Sequence, residues 1–228
     1  MSRHKKKRKP SQQQLKRRAA KKLQRPAHQE ELESELVVSE YEITDEPVRT
    51  PAYQKLPAQV REQIEELHEM VSGDPHRAVP LLEGLLEKYP GVPLLYNYLA
   101  GAYGSLGEVE KARAVSVRNY EQNPDYLFAK CNYAEFCLRE GKLEKIPEIF
   151  AGKFDLKMLY PHRKTFHVTE VVGFGHVMGT YFYKRGEKEA AKMWYRLLAE
   201  IAPEHPHTRQ LKALLAPSLL GRVLKRMV

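Results

Sequence analysis

The residues of this chain whose types could do chemistry are its histidines and cysteines, so their spacing decides which chemistry is open. His162 and His167 fall close together, His176 follows, and His205-Pro206-His207 lies near the end. A zinc hydrolase needs HExxH on one helical face, a structural zinc site needs paired CxxC cysteines, and a serine hydrolase needs a Gly-x-Ser-x-Gly elbow. None of these patterns occurs in the sequence. Each histidine is therefore read as a loop or surface residue, and no catalytic residue, metal site or cofactor is expected. Cys131 and Cys137 are six residues apart in a helix-forming segment, and six residues turn a helix through about 600°, which points the thiols to different faces. No disulfide is expected between them, and free buried thiols suit a reducing compartment. The stretch "VVGFGHVMG" lacks the spacing and the Lys-Ser/Thr of a phosphate loop, so its glycines are read as sites of close helix packing.

Charge supplies a second candidate. The formal net charge is +9, but residues 1–25 hold twelve Lys and Arg and no acid, which leaves −3 for the remainder. Lys5, Lys6, Lys7, Arg8, Lys9, Arg17 and Arg18 belong to this arm. Such residues neutralise phosphates without reading sequence and would give salt-sensitive RNA or DNA association. No aromatics are interleaved, so base stacking is not indicated. The alternative is a solvated tail that pairs loosely with the eight acids of residues 26–50. Residues 1–50 are expected to be a disordered, charged N-terminal arm, basic over 1–25 and acidic over 26–50, that adds little to stability. No apolar stretch approaches the ~18 residues needed to span a bilayer, and a signal peptide's hydrophobic half is missing. A soluble, cytoplasmic protein is expected, or a nuclear one if the source is eukaryotic, since "KKKRK" is similar to a nuclear import signal.

Elements must position whatever acts, and "YNYLAGAYGSLGEVEKARAVSVRNYEQNP" shows what they are. Apolar residues recur at three- and four-residue steps, break at Gly107 and resume, which describes two short helices facing each other. Sliding the chain by 34 residues places Gly73 on Gly107 on Gly141, Ala78 on Ala112, and Pro90 on Pro124. A fourth copy follows an insertion of about eleven residues, because Gly141 to Gly186 is 45 residues and Pro124 to Pro203 is 79. Glycine after the first helix lets the chain reverse in the left-handed region. Ala100 and Ala112 let the helices approach, Tyr96, Leu99 and Tyr103 fill the seam, and Pro124 ends the second helix. Asp74 and Pro75 read as the N-cap and first residue of a helix.

This pattern resembles the tetratricopeptide repeat (TPR) family, carried best by Tyr96, Leu99-Ala100, Tyr103, Gly107, Ala112 and Pro124. Glu66, Ile146-Pro147 and Gly175 depart from it. The resemblance implies an all-α, right-handed solenoid of helical hairpins over 51–205. Its repeats would be 59–92, 93–126, 127–150 followed by the insertion 151–171, and 172–205, with 206–228 forming a C-terminal capping helix or pair of helices. It also implies that first helices line a concave groove, which assigns Asn97, Tyr98 and Gly101, then Asn132, Glu135 and Arg139, then His176, Thr180, Tyr183 and Lys184 to peptide binding. Only Asn132 matches the family's carboxylate clamp, so a C-terminal Glu-Glu-Val-Asp tail is not the expected ligand. The function expected is a non-enzymatic scaffold or adaptor binding a protein segment; the alternative is an RNA-, DNA- or ribosome-associated factor led by the basic arm. The insertion either covers a seam with Phe154, Leu156, Met158, Leu159 and Tyr160, or presents Lys157, Arg163 and Lys164 to an acidic partner.

Overall fold

The computed structural model describes residues 41–47 and 49–216. The basic arm and the second half of the expected cap, 217–228, lie outside the described residues. The chain is predominantly helical. After a short α1 (Pro51–Gln54), capped by Thr50, come α2 (Ala58–Gly73) and α3 (Pro75–Lys88). Next are α4 (Pro93–Ser105) and α5 (Val109–Gln122), then α6 (Leu127–Arg139) and the five-residue α7 (Lys145–Ile149). The inserted segment contributes α8 (Leu156–Leu159) and strand β2 (Thr165–His167). It leads into α9 (Val168–Lys184), α10 (Lys188–Ile201) and α11 (Pro206–Leu215).

Three of the reversals are built alike. Gly107, Gly141 and Gly186 have φ of 74°, 75° and 87°. In each turn the N–H of the following residue bonds a carbonyl five residues back: Glu108 to Tyr103, Lys142 to Cys137 and Glu187 to Phe182, all at 2.9 Å. This is the left-handed helix end that glycine makes without steric cost. Gly73 differs from its three counterparts. It is the last residue of α2, and the turn is made by Asp74 at φ −146°, whose side chain accepts from Arg77 N at 3.3 Å and caps α3.

Neighbours in sequence are neighbours in space. α4 packs on α2, α3 and α5; α6 packs on α4, α5 and α9; α10 and α11 close over α9. One buried cluster spans Tyr53 to Ala112, and a second runs from Leu127 to Leu211. Tyr96, Leu99, Tyr103 and Ala112 are buried as expected, but Ala100 is half-buried, and Ala102 is the fully enclosed alanine of α4. Small residues also bring the last helices together. A Cβ on Gly179 would stand 2.5 Å from a methyl of Leu211, and one on Gly175 would stand 2.8 Å from a methyl of Leu198.

Two expectations are corrected. The first concerns the arm: residues 42–44 form a strand, β1 (Glu42–Thr44), that pairs in parallel with β2 in the register Glu42↔Thr165, Ile43↔Phe166, Thr44↔His167. Tyr41 sets its ring edge against Phe166 at 5.1 Å between centroids. An apolar edge is available there because Phe166 is fully buried, so this part of the acidic segment docks instead of staying solvated. The second concerns the third unit, whose second helix ends after one turn. Ala151 and Gly152 both take positive φ, 52° and 67°, and Gly152 N bonds Pro147 O at 2.8 Å. A left-handed pair cannot continue a helix.

Candidate functional site

The residues assigned to a groove fall on α4, α6 and α9, and the structure joins them into two groups. In the first, the Asn97 carbonyl accepts from Asn119 Nδ2 at 3.1 Å and from Asn132 Nδ2 at 3.2 Å, while its own amide donates to the Tyr126 hydroxyl at 3.3 Å. Asn119 is buried and also donates to Pro93 O at 3.3 Å and accepts from Asn123 at 3.0 Å. These amides tie α4, α5 and α6 together. Asn97 is therefore first a fastener between units, which the sequence reading missed.

The second group is Glu135, Arg139, His176 and His207. Glu135 and Arg139 are one helical turn apart on α6, with Arg139 3.5 Å from Glu135 Oε2. The other carboxylate oxygen faces two rings: His176 Nδ1 of α9 at 3.4 Å and His207 Nε2 of α11 at 3.6 Å. The two imidazoles stack, with centroids 4.5 Å apart and planes 15° off parallel. His205 caps α11, accepting from His207 N at 3.2 Å, and its ring lies against His207 at 5.2 Å. Burial opposes the charge on Glu135, but His176, His207 and Arg139 outweigh it and hold the carboxyl below its usual range. Burial drives the His207 imidazole down to about 4 against the pull of Glu135, so that ring is neutral at pH 7. Neither His176 nor His207 is the solvated surface residue expected of it. His207 was absent from the expected site.

The other assigned residues are spread out. Tyr98 meets the His68 ring of α2 at 5.3 Å, and burial, followed by Glu65, pushes its phenol up to about 12. Glu65 holds both Arg49 and the Tyr53 hydroxyl. Gly101 faces Val71, Thr180 buries its hydroxyl, Tyr183 packs on the core and Lys184 is exposed. Lys5, Lys6, Lys7, Arg8, Lys9, Arg17 and Arg18 lie outside the described residues.

The insertion packs; of Lys157, Arg163 and Lys164, the three residues offered to an acidic partner, two are used internally. Arg163 makes a two-pronged ion pair with buried Glu170 (one bond 2.9 Å) and lies 4.3 Å over the Phe166 ring. Lys157 donates to the carbonyls of Pro161 and Arg163 at 2.9 and 3.1 Å. Only Lys164 of the three has an exposed side chain in position to meet a partner. His167 is the N-cap of α9. Its backbone N–H donates to Glu170 at 2.9 Å, its ring accepts from Thr169 N, and its other ring nitrogen meets Asp45 O at 3.2 Å.

No helix among the described residues is long and apolar enough to cross a membrane. The chain matches no protein-family model and no curated protein.

Proposed function

We propose that this chain is a non-enzymatic adaptor of the tetratricopeptide kind, a right-handed solenoid that holds a protein segment along the face made by its first helices. The observation that carries this reading is the file of polar side chains on successive first helices: Asn97 on α4, Asn132, Glu135 and Arg139 on α6, and His176 on α9. The three like-built glycine turns support the repeat underneath it. Asn97 and Asn132 hold each other and brace the file, so Arg139, whose side chain is mostly exposed, is the group that meets an extended backbone, and Tyr98 adds apolar contact.

A photo-crosslinking residue placed at Tyr98 or Arg139 in the native cell tests this directly. Discrete adducts are expected from both positions and none from Glu87, an exposed residue of α3. Adducts that are equal at all three sites, or absent from the first two, count against the groove.

The second reading, RNA, DNA or ribosome association, rests on twelve Lys and Arg without one acid in residues 1–25. Removing those residues discriminates the two. If all partner capture disappears with them the adaptor reading fails, whereas capture that persists and no longer varies with salt supports it.

A further inference from the structure

Glu135, His176 and His207 come from three different helices, and no well-directed hydrogen bond joins the two rings to the carboxylate. Nδ1 of His176, the ring nitrogen that faces Glu135, is buried without an aligned hydrogen-bond partner; on His207 it is Nε2 that faces the carboxylate. The 3.4 Å approach of His176 to Glu135 is close but poorly directed. A buried polar nitrogen left this way is costly, and its presence calls for a ligand. One carboxylate oxygen and one nitrogen of each ring lie within 4.8 Å of one another.

That donor set and spacing have a chemical meaning. Imidazole nitrogen and carboxylate oxygen together suit divalent first-row transition ions, Zn²⁺ above all, and poorly suit Mg²⁺ or Ca²⁺. With metal–ligand bonds of about 2.0–2.1 Å, tetrahedral donors stand roughly 3.3–3.4 Å apart. The two Glu135 oxygen-to-nitrogen distances, 3.4 and 3.6 Å, are close to that edge length. The geometry points to a binding site for a divalent transition-metal ion, with Glu135, His176 and His207 as its three protein ligands and a fourth position for water. This goes beyond peptide binding and does not depend on it.

Loading requires one movement. An ion bonds each ring nitrogen in the plane of that ring, and the two stacked rings are nearly parallel, so one must turn about its Cβ–Cγ bond. His207 is the ring with room: its side chain is 31 % exposed, against 15 % for His176. Arg139 touches the opposite oxygen of Glu135 and orients the carboxylate. Its side chain is mostly exposed, so its charge can swing away from the ion. Bound metal would fasten α11 to α6 and α9.

The test uses the full chain after chelator treatment and dialysis, with Zn²⁺ alone as the probe in calorimetry and Co²⁺ visible absorption as an independent report of the ligand field. One equivalent of Zn²⁺ should bind and raise the thermal midpoint. Glu135→Gln keeps the shape and hydrogen bonding of the side chain, and His207→Ala changes a partly exposed ring, so both should fold. Each should weaken Zn²⁺ binding at least about tenfold, while His162→Ala, in an exposed loop, should leave it unchanged. Absence of Zn²⁺ uptake by the parent chain overturns the site. So does uptake that Glu135→Gln and His207→Ala both leave within about twofold, which would place the ion elsewhere.

Discussion

The second hairpin, α4 with α5, and the third unit, α6 with its stunted α7, begin alike and end differently. Both first helices run thirteen residues and close on a left-handed glycine. The second hairpin then supplies its own full-length partner helix, and its seam is filled from within by Tyr96, Leu99, Tyr103 and Ala112. In the third unit the partner helix stops at Ile149. The surface it would have covered is taken by Phe150, Leu156 and Phe166, and by β1 arriving from residues 42–44. A repeat can therefore lose most of a helix and still stack, provided other apolar residues cover the face of the next one. The difference also changes the kind of interaction. The regular hairpin is apolar with amide fasteners, whereas the substitute carries a buried ion pair, Arg163–Glu170.

If the insertion is the substitute for a helix, its central aromatic should matter as much as a core residue of any regular hairpin. Phe166→Ala removes a fully buried ring contacted by Tyr41, Tyr160 and Arg163. It should cost about 3–5 kcal/mol, read from the urea midpoint. A loss under about 1 kcal/mol would mean that the insertion merely lies on the surface. Arg163→Met comes next. It leaves the Glu170 carboxylate buried without its guanidinium, for an expected cost of about 3 kcal/mol, toward the low end for such a pair because Arg163 is itself a quarter exposed. Glu170→Gln in the same background should recover part of that loss. An additive double mutant would show the two side chains act separately.

Within the regular hairpin the sharper probe is overpacking. Ala112→Leu adds volume at a site 5 % exposed in the seam and should cost about 1–3 kcal/mol. Equal stability of the variant would show that the seam has slack, and that the two regions differ less than their geometry implies.

What could be read beforehand follows the same division. Gly107, Gly141 and Gly186 were legible because a left-handed turn admits few other residues, so type and spacing coincide. Gly73 departs from that pattern, and Asp74 and Pro75, read beforehand as the N-cap and first residue of a helix, make that turn by capping. The β1–β2 pair was not legible. Three-residue strands carry almost no period, and Ile43 and Phe166 are brought together by the tertiary packing alone. Of the candidate site, Glu135, Arg139 and His176 were named because first helices line one face. His207 was not, since its distance from Glu135 along the chain is set by the helix stack and forms no short motif. The fastening role of Asn97 was hidden for a similar reason: its partners lie on α5, on α6 and at Tyr126, just ahead of α6.

The smallest expected effect separates burial from capping inside the insertion. Asp155 caps α8, its Oδ1 accepting from Lys157 N at 2.8 Å and Met158 N at 3.2 Å. Those bonds favour the charged form, yet burial dominates and raises the carboxyl above its ordinary value. The folded chain then keeps this proton to a higher pH than the unfolded chain does. Its contribution is fully present below the ordinary carboxylate pKa and is lost as pH rises through the raised folded value. Asp155→Asn retains an acceptor for both N–H groups and has no proton to lose. The stability of the parent relative to Asp155→Asn should therefore fall as pH rises across that window and level off above it, measured by urea unfolding at a series of pH values. A difference that grows with pH would show that the two N–H bonds outweigh burial. The insertion would then hold Asp155 as an exposed helix cap would, and the contrast with the apolar seam of the second hairpin would weaken at this residue.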